Sequence, residues 1–162
     1  MKVAVVGSGI VGPAAALLLA RDGHDIEVFE RSIAPGAAGA GFLLQLLGQL
    51  VVEELGVGEA LRSQSALVRR VHARTRSGRV VLDFGYDDVV PGASGWGVNR
   101  ETLCRLLAEA LSDAHIPLRA NRACEGVSRR ADGWWLRFRG GEAGPFDLVV
   151  GADGARSRIR RA

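Results

Sequence analysis

Cysteine and histidine are scarce in this sequence. The 162 residues include two cysteines, Cys104 and Cys124, which show neither the spacing of a zinc site nor the density of a secreted disulfide framework. The three histidines have no carboxylate or cysteine at metal-ligand spacing. We therefore expect no metal site, and a reducing compartment, the cytoplasm, for the protein.

Long hydrophobic runs and a large excess of one charge are also missing. The apolar stretches 13–20 and 42–52 are too short or too interrupted to span a bilayer, and the first residues lack the pattern of a signal peptide. Twenty-one basic residues against 18 acidic ones leave a net charge of +3. Few aromatics accompany the arginines of segment 69–79, so we expect neither a membrane nor a nucleic acid as partner.

What the sequence does have is a strand-helix-strand pattern at its start. Residues 2–6 are apolar and β-branched, 10–21 are rich in Ala and Leu, and 26–29 form a second short strand that ends at Glu30. Such a connection places the two strands in parallel. We predict an α/β fold, a Rossmann-like parallel sheet built on a β-α-β dinucleotide-binding unit, within one domain spanning residues 1–162.

The rest of the chain predicts smaller elements. A helix is expected at 45–55, with Leu47, Leu50, Val51 and Leu55 on one face, and a hairpin with one solvated face at 67–84. A leucine-rich helix capped by Asn99 follows. After it we expect a small antiparallel meander with strands at 118–119, 122–128 and 134–138. A continuous apolar strand at 146–150 then leads into Gly151, and residues 155–161 are expected to begin another helix.

A glycine motif follows the first strand. Gly7, Gly9 and Gly12 fit G-x-G-x-x-G at the start of a helix. Gly7 permits a tight turn, Gly9 a close approach of a pyrophosphate, and Gly12 close packing, while the amides of Ile10 and Val11 help to attract the anion. The small Ala16 allows the helix to approach the strand. The motif and its context predict a dinucleotide site, the alternative being a glycine turn without a ligand.

Glu30 is the expected ribose partner. It ends the second strand, where a carboxylate accepts hydrogen bonds from the adenosine ribose and repels a 2′-phosphate. This disfavours NADP in the site, although the neighbouring Arg31 weakens that argument.

Three segments resemble the flavoprotein aromatic hydroxylases, the family that includes 4-hydroxybenzoate and salicylate hydroxylases. They are VAVVGSGIVGPAAALLLARDGHDIEVFER at the start, VNRETLCRLL at 98–107 and LVVGADGARSRIR at 148–160. The third segment is similar to the Asp-Gly motif of the family, which serves both FAD and a transient NAD(P)H contact.

The resemblance implies roles for particular residues. Asp153 and Gly154 would bind polar groups on the flavin side, Ser157 and Arg160 would support that loop, and Arg100 would reach the FAD pyrophosphate. The implied activity is FAD-dependent, NAD(P)H-using monooxygenation of an aromatic or related small molecule. No residue is assigned as a catalytic acid or base.

The resemblance covers only the N-terminal part of the family pattern. The later flavin motif and the substrate domain lie outside it, Leu46 and Leu47 replace the usual Pro and small polar residue, and segment 37–40 lacks an arginine that many relatives carry. Two alternatives therefore stand beside the monooxygenase. One is a non-catalytic dinucleotide-binding module, and the other is a different FAD oxidoreductase of the same fold, such as a prenyl-chain reductase. A plain NAD dehydrogenase is disfavoured by the Asp-Gly motif.

Overall fold

The structure is a computed structural model that describes residues 1–33 and 40–161. The predicted features of segment 37–40 lie almost wholly outside the described residues. The chain divides into two compact units, the first comprising Met1–Ala37 and Cys104–Ala162 and the second Ala38–Leu103. The elements are, in chain order, β1 (Lys2–Val6), α1 (Val11–Arg21), β2 (Asp25–Phe29), β3 (Phe42–Leu44), α2 (Leu46–Glu54), α3 (Gly58–Arg62), β4 (Ala66–Val68), β5 (Arg70–Arg74), β6 (Val80–Gly85), β7 (Gly95–Val98), α4 (Arg100–Asp113), β8 (Leu118–Arg119), β9 (Cys124–Arg130), β10 (Gly133–Phe138), β11 (Gly141–Phe146) and β12 (Leu148–Gly151).

A parallel sheet forms the centre of the first unit. Its strand order is β12-β1-β2-β8, and β1 pairs in parallel with both β2 and β12. Val3, Ala4 and Val5 are fully buried, as expected for a strand covered on both faces. The predicted β-α-β unit and the α/β fold class are confirmed.

An antiparallel sheet of β11, β10 and β9 confirms the predicted meander, with two corrections. The pair Leu118–Arg119 was expected in the meander but extends the parallel sheet beside β2. The single strand predicted at 146–150 is two strands, because Phe146 ends β11 and Leu148 begins β12. Asp147 lies between them, where the chain passes from the antiparallel sheet to the parallel sheet. Its side chain accepts a hydrogen bond from the backbone N–H of Lys2 at 2.7 Å.

The meander packs on one face of the parallel sheet. The buried residues of this core are Ala4, Val6, Phe29, Leu136, Phe138 and Phe146. The ring of Phe29 lies 5.1 Å from that of Phe138 and meets that of Phe146 edge-on at 5.9 Å. Because side chains alternate along a strand, Val3 and Val5 point to the opposite face, and α1 packs against β1 and β2 with Ala16 fully buried.

Helix α4 forms where the leucine pattern predicts it. The side chain of Asn99 accepts a hydrogen bond from the N–H of Glu101 at 2.8 Å, which confirms the predicted cap. Its apolar stripe is buried, comprising Leu103, Leu106, Leu107 and Leu111. By contrast, the helix expected at 155–161 is only a short 3-10 turn at Ile159–Arg161.

The second unit contains the sheet β3-β7-β4, the hairpin β5-β6 and helices α2 and α3. Helix α2 lies where predicted, but the apolar face is mostly solvent-exposed: Leu47 is 79% and Leu50 66% exposed, and Leu55 alone of the predicted set is buried. The buried side chain of α2 is instead that of Val52. Gly48, which has no side chain, lets Leu44 pack closely against the helix.

The hairpin at β5-β6 is confirmed, but its single solvated face is not. Val80 is 48% and Leu82 45% exposed on one face, and Val81 is 64% exposed on the other. Two strands alone cannot bury either face, which is why the alternation of apolar and polar residues did not produce a dry side. No helix in the described parts of the chain has the length and apolar character needed to cross a membrane.

Candidate dinucleotide-binding site

Three loops meet at the carboxyl edge of the parallel sheet. In the register of the strands, Val6 at the end of β1 pairs with Phe29 at the end of β2 and with Gly151 at the end of β12. The glycine motif, Glu30 and the Asp153 loop therefore follow three neighbouring strands at one edge. This edge is where parallel α/β sheets bind their ligands.

The first glycine has the conformation that the motif requires. Gly7 has φ +108°, and a Cβ there would overlap the carbonyl oxygen of Ala152. Its N–H donates to the carbonyl oxygen of Phe29 at 2.8 Å. A Cβ on Gly12 would overlap the carbonyl oxygen of Gly7. Gly7 and Gly12 thus allow the turn, the helix and the neighbouring loop to pack closely.

The start of α1 leaves hydrogen-bond donors unsatisfied. Ile10 precedes the helix and has no side chain that can cap it, and Pro13 has no N–H. Among residues 1–33 and 40–161, no protein acceptor is present for the amides of Val11 and Gly12. Positive partial charge at a helix N-terminus and free amides together favour an anion.

Gly9 provides the space for that anion. A Cβ added to it would have no protein atom within 4 Å, and its φ is not in the left-handed region. Neither backbone conformation nor protein packing therefore requires glycine at this position. An open approach to the backbone next to free amides fits a pyrophosphate.

The Glu30 carboxylate is half-buried and already holds two backbone groups. Its Oε2 accepts a hydrogen bond from the N–H of Ser8 at 2.7 Å, and its Oε1 accepts one from the N–H of Ser32 at 2.8 Å. Each carboxylate oxygen has a second lone pair, so both can still accept from a ribose hydroxyl. Arg31 is exposed beside it. Glu30 therefore fixes the glycine loop as well as offering acceptors.

The Asp153 loop is folded by its own side chains. Oδ2 of Asp153 accepts a hydrogen bond from the N–H of Arg158 at 2.7 Å, and Oγ of Ser157 accepts one from the N–H of Arg160 at 3.1 Å. Gly154 takes φ +84° and turns the chain, while Arg160 is exposed. Oδ1 of Asp153 is buried and has no hydrogen-bond partner within the described residues.

The pKa of Asp153 reflects these contacts. Burial raises the pKa of the carboxyl group, but hydrogen bonds from Ser157 and from the N–H of Arg158 outweigh burial and leave the pKa below its ordinary value of 3.8. Asp153 is therefore ionised at neutral pH, and its negative charge favours the folded loop.

The predicted site residues divide between the two units. The glycine motif, Ala16, Glu30, Arg31 and the Asp153 loop belong to the first unit, whereas Arg100 is the exposed first residue of α4 in the second. The role of Arg100 stays a prediction. Sequence reasoning missed Ser8, Ser32 and Ala152 because their contributions come from backbone N–H and C=O groups, which residue type does not reveal.

Within the described residues, the other reactive groups do not form a second centre. Residues 1–33 and 40–161 contain no cluster of His, Cys, Asp and Glu that could hold a metal ion. Cys104 is buried, and burial raises the pKa of the half-buried Cys124 thiol. In the basic hairpin, Arg70 pairs with Asp83 at 2.7 Å.

A parallel sheet with free amides, an open glycine and a strand-end carboxylate at its carboxyl edge defines a dinucleotide-binding protein of the Rossmann type. The sequence profile of one family, described as "FAD binding domain", matches residues 1–162. The chain belongs to this FAD-binding family.

Relatives of known activity are FAD-dependent aromatic monooxygenases. The chain is 34% identical over 167 residues to 3-amino-4-hydroxybenzoate 2-monooxygenase of Streptomyces cremeus, covering 100% of this chain and 42% of that protein. It is 30% identical over 163 residues to 6-hydroxynicotinate 3-monooxygenase of Pseudomonas fluorescens, covering 98% and 42%. The predicted family resemblance is confirmed.

Solved structures of similar fold support the same family resemblance. A tetrameric form of 2-methyl-3-hydroxypyridine-5-carboxylic acid oxygenase matches with a TM-score of 0.83 at 26% identity, over 99% of this chain and 41% of that one. Klebsiella pneumoniae HpxO complexed with FAD and uric acid matches with a TM-score of 0.79 at 27% identity, over 99% and 41%. The chain thus spans about two-fifths of the length of these relatives.

Proposed function

We propose that the chain is the FAD-binding portion of an FAD-dependent monooxygenase and that the first unit holds the ADP half of FAD. The observation that carries the proposal is the space at Gly9 beside the free amides of Val11 and Gly12. The pyrophosphate would accept hydrogen bonds from these amides, and Glu30 would accept hydrogen bonds from the ribose hydroxyls.

The chemistry of the reaction would belong to the cofactor. When bound, FAD supplies electron transfer from NAD(P)H and activation of dioxygen for hydroxylation of an aromatic or related small molecule. The role of this chain is to bind and orient the dinucleotide: α1 directs its N-terminus at the anion, and Glu30 keeps the glycine loop in place through Ser8. A cytoplasmic location is supported by Cys104 and Cys124, which form no disulfide.

The aromatic substrate class rests on the named relatives, which act on a hydroxybenzoate and a hydroxynicotinate. Both substrates are small rings bearing a carboxylate and a hydroxyl group. We infer the same class for the monooxygenase to which this FAD-binding portion corresponds, with NAD(P)H as a transient reductant.

Titration of the purified chain with FAD, followed by quenching of flavin fluorescence, tests the site. ADP should compete with FAD and FMN should not, because the proposed contacts are all with the ADP half. Glu30→Ala should weaken binding about 10- to 150-fold, the equivalent of about 1.5–3 kcal/mol for hydrogen bonds to a charged group. Glu125→Ala changes an exposed glutamate in the same unit and is the matched control.

Two results would contradict the proposal: a folded chain that binds FMN as well as FAD, or equal affinities for Glu30→Ala and Glu125→Ala. FAD binding without any NAD(P)H-dependent oxygen consumption would favour the non-catalytic dinucleotide-binding module for this chain.

A further inference from the structure

We propose that exposed arginines at the carboxyl edge of the parallel sheet steer an anionic dinucleotide towards the glycine loop. We call these residues the arginine rim: Arg31, Arg122, Arg156, Arg158 and Arg160. The inference rests on the proposed function of the first unit and deepens it. The rim raises the rate at which the dinucleotide arrives and does not hold the ligand once it is bound.

The net charge of the chain lies entirely in the first unit. That unit contains 14 of the 21 basic residues and 11 of the 18 acidic ones, which leaves +3, whereas the second unit has seven of each. A small total charge therefore hides an uneven distribution. The effect on a ligand depends on where the charges of the first unit lie.

The arginine rim follows three of the four parallel strands at their carboxyl ends. Arg31 follows β2, Arg122 follows β8, and the other three arginines lie in the segment after β12. The first two loops are joined, because the N–H of Arg122 donates to the carbonyl oxygen of Glu30 at 2.8 Å. The rim and the glycine motif therefore share one edge of the sheet.

The charge of the rim is not neutralised by ion pairs. All five side chains are exposed, and none of them forms an ion pair within the described residues. Arg119 at the end of β8 differs, since it pairs with Glu27 at 2.6 Å. The loops that carry the rim contain two carboxylates, Glu30 and Asp153, so positive charge dominates this edge.

The opposite edge of the sheet has the reverse charge. Four exposed carboxylates lie at or shortly before the amino ends of the strands, namely Asp22, Asp25, Asp113 and Asp147. The basic side chains at this edge are Lys2, at the start of β1, and Arg21, at the end of α1. The first unit thus has a positive and a negative end. The N-terminus of α1 lies at the positive end and adds to its field.

Such a distribution acts on the approach of a ligand. A dinucleotide carries its negative charge on the pyrophosphate, so a positive edge attracts it while it is still in solution. Charges of one sign around a site raise association rates by about 10- to 1000-fold at low salt. Exposed arginines add little to the stability of a bound complex, because water and salt screen them. The rim should therefore change the association rate and leave dissociation nearly unchanged.

Stopped-flow mixing of FAD with the purified chain, followed by flavin fluorescence, measures association and dissociation separately. Arg156→Glu reverses one charge of the rim. It should lower the association rate constant about 3- to 10-fold at low ionic strength and leave the dissociation rate constant within about twofold of wild type. The difference in association should vanish at about 1 M salt, where the Debye length is about 3 Å.

Arg129→Glu is the matched control. Arg129 is exposed, and its reversal changes the charge of the same unit by the same amount. It pairs with Trp134 of β10, which pairs in turn with Phe146, next to Asp147 at the negative end. This variant should keep both rate constants within about twofold of wild type. Urea unfolding shows whether each variant is folded, and Arg158→Glu replaces Arg156→Glu if the latter does not fold.

Equal association rate constants for wild type and Arg156→Glu at low ionic strength would overturn the steering, as would equal losses in Arg156→Glu and Arg129→Glu. Faster dissociation of Arg156→Glu that persists at about 1 M salt would also overturn it, by showing that Arg156 holds the bound ligand. In each of these cases FAD still binds and the proposed function stands. If the folded wild-type chain does not bind FAD, the proposed function fails and the steering fails with it.

Discussion

The space at Gly9 gives the sharpest prediction about ligand binding. Gly9→Ala adds a Cβ that meets no protein atom within 4 Å, at a backbone conformation open to L-residues. The variant should therefore fold as wild type does, with the free energy of unfolding unchanged or raised by about 0.4–1 kcal/mol, because alanine restricts the unfolded chain.

FAD binding should respond in the opposite direction. If the pyrophosphate lies against the backbone at Gly9, the new methyl group overlaps it, at a cost of about 1–3 kcal/mol. That cost corresponds to about a 5- to 150-fold higher Kd. Urea unfolding gives the first quantity and fluorescence titration with FAD the second.

Gly12→Ala is the matched comparison. Its Cβ overlaps the carbonyl oxygen of Gly7, so stability and affinity should fall together. The reasoning is refuted if Gly9→Ala binds FAD with wild-type affinity, since the open space would then not be the place of the ligand. It is refuted equally if Gly9→Ala loses stability as Gly12→Ala does.

Two further predictions concern the stability of the fold. Leu136→Ala should lower the free energy of unfolding by about 2–5 kcal/mol, because Leu136 is fully buried in the core between the sheets. Leu50 is 66% exposed on α2, so Leu50→Ala should change the free energy of unfolding by less than about 0.5 kcal/mol. Urea unfolding measures both values, and equal losses in the two variants would contradict the packing. Because the pKa of folded Asp153 lies below 3.8, ionised Asp153 stabilises the fold above pH 3.8 and this contribution is lost as the pH falls through the folded value. Asp153→Asn should therefore lose stability less steeply below pH 3.8, and parallel pH profiles of the two proteins would show that the carboxylate does not favour the folded state.

The sequence predicted those parts of the fold that local pattern determines. The strand, glycine turn and helix of residues 2–30 satisfy propensity, periodicity and turn chemistry together, and the structure follows them. The cap at Asn99 is similarly local.

The predictions were wrong where burial or strand pairing depends on which other element packs against the segment. Periodicity identifies an apolar face at Leu47 and Leu50, but it cannot supply a neighbour to cover that face, and both side chains are exposed. Leu118–Arg119 has too few residues to show whether it pairs with a meander strand or with β2.

In the candidate site, residue type predicted the glycines and Glu30, but not the contacts of their backbone groups. The Ser8 N–H that Glu30 binds and the Ala152 carbonyl beside Gly7 have no signature in the sequence, because every residue except proline carries both groups. Asp153 was predicted as a site residue from a motif, but the motif does not indicate that its carboxylate accepts a hydrogen bond from the N–H of Arg158 in its own loop.

The position of β12 also sets the order in which the protein can assemble. β1 can pair with β2 as soon as both have been made, but its second neighbour follows about 145 residues after it, since Val3 pairs with Leu148 and the N–H of Lys2 donates to Asp147. Until then β1 has one open edge of exposed backbone groups, a state prone to pairing with other chains. The glycine turn likewise lacks the Ala152 carbonyl until that residue has been made, so the nucleotide site cannot be completed before β12 is available.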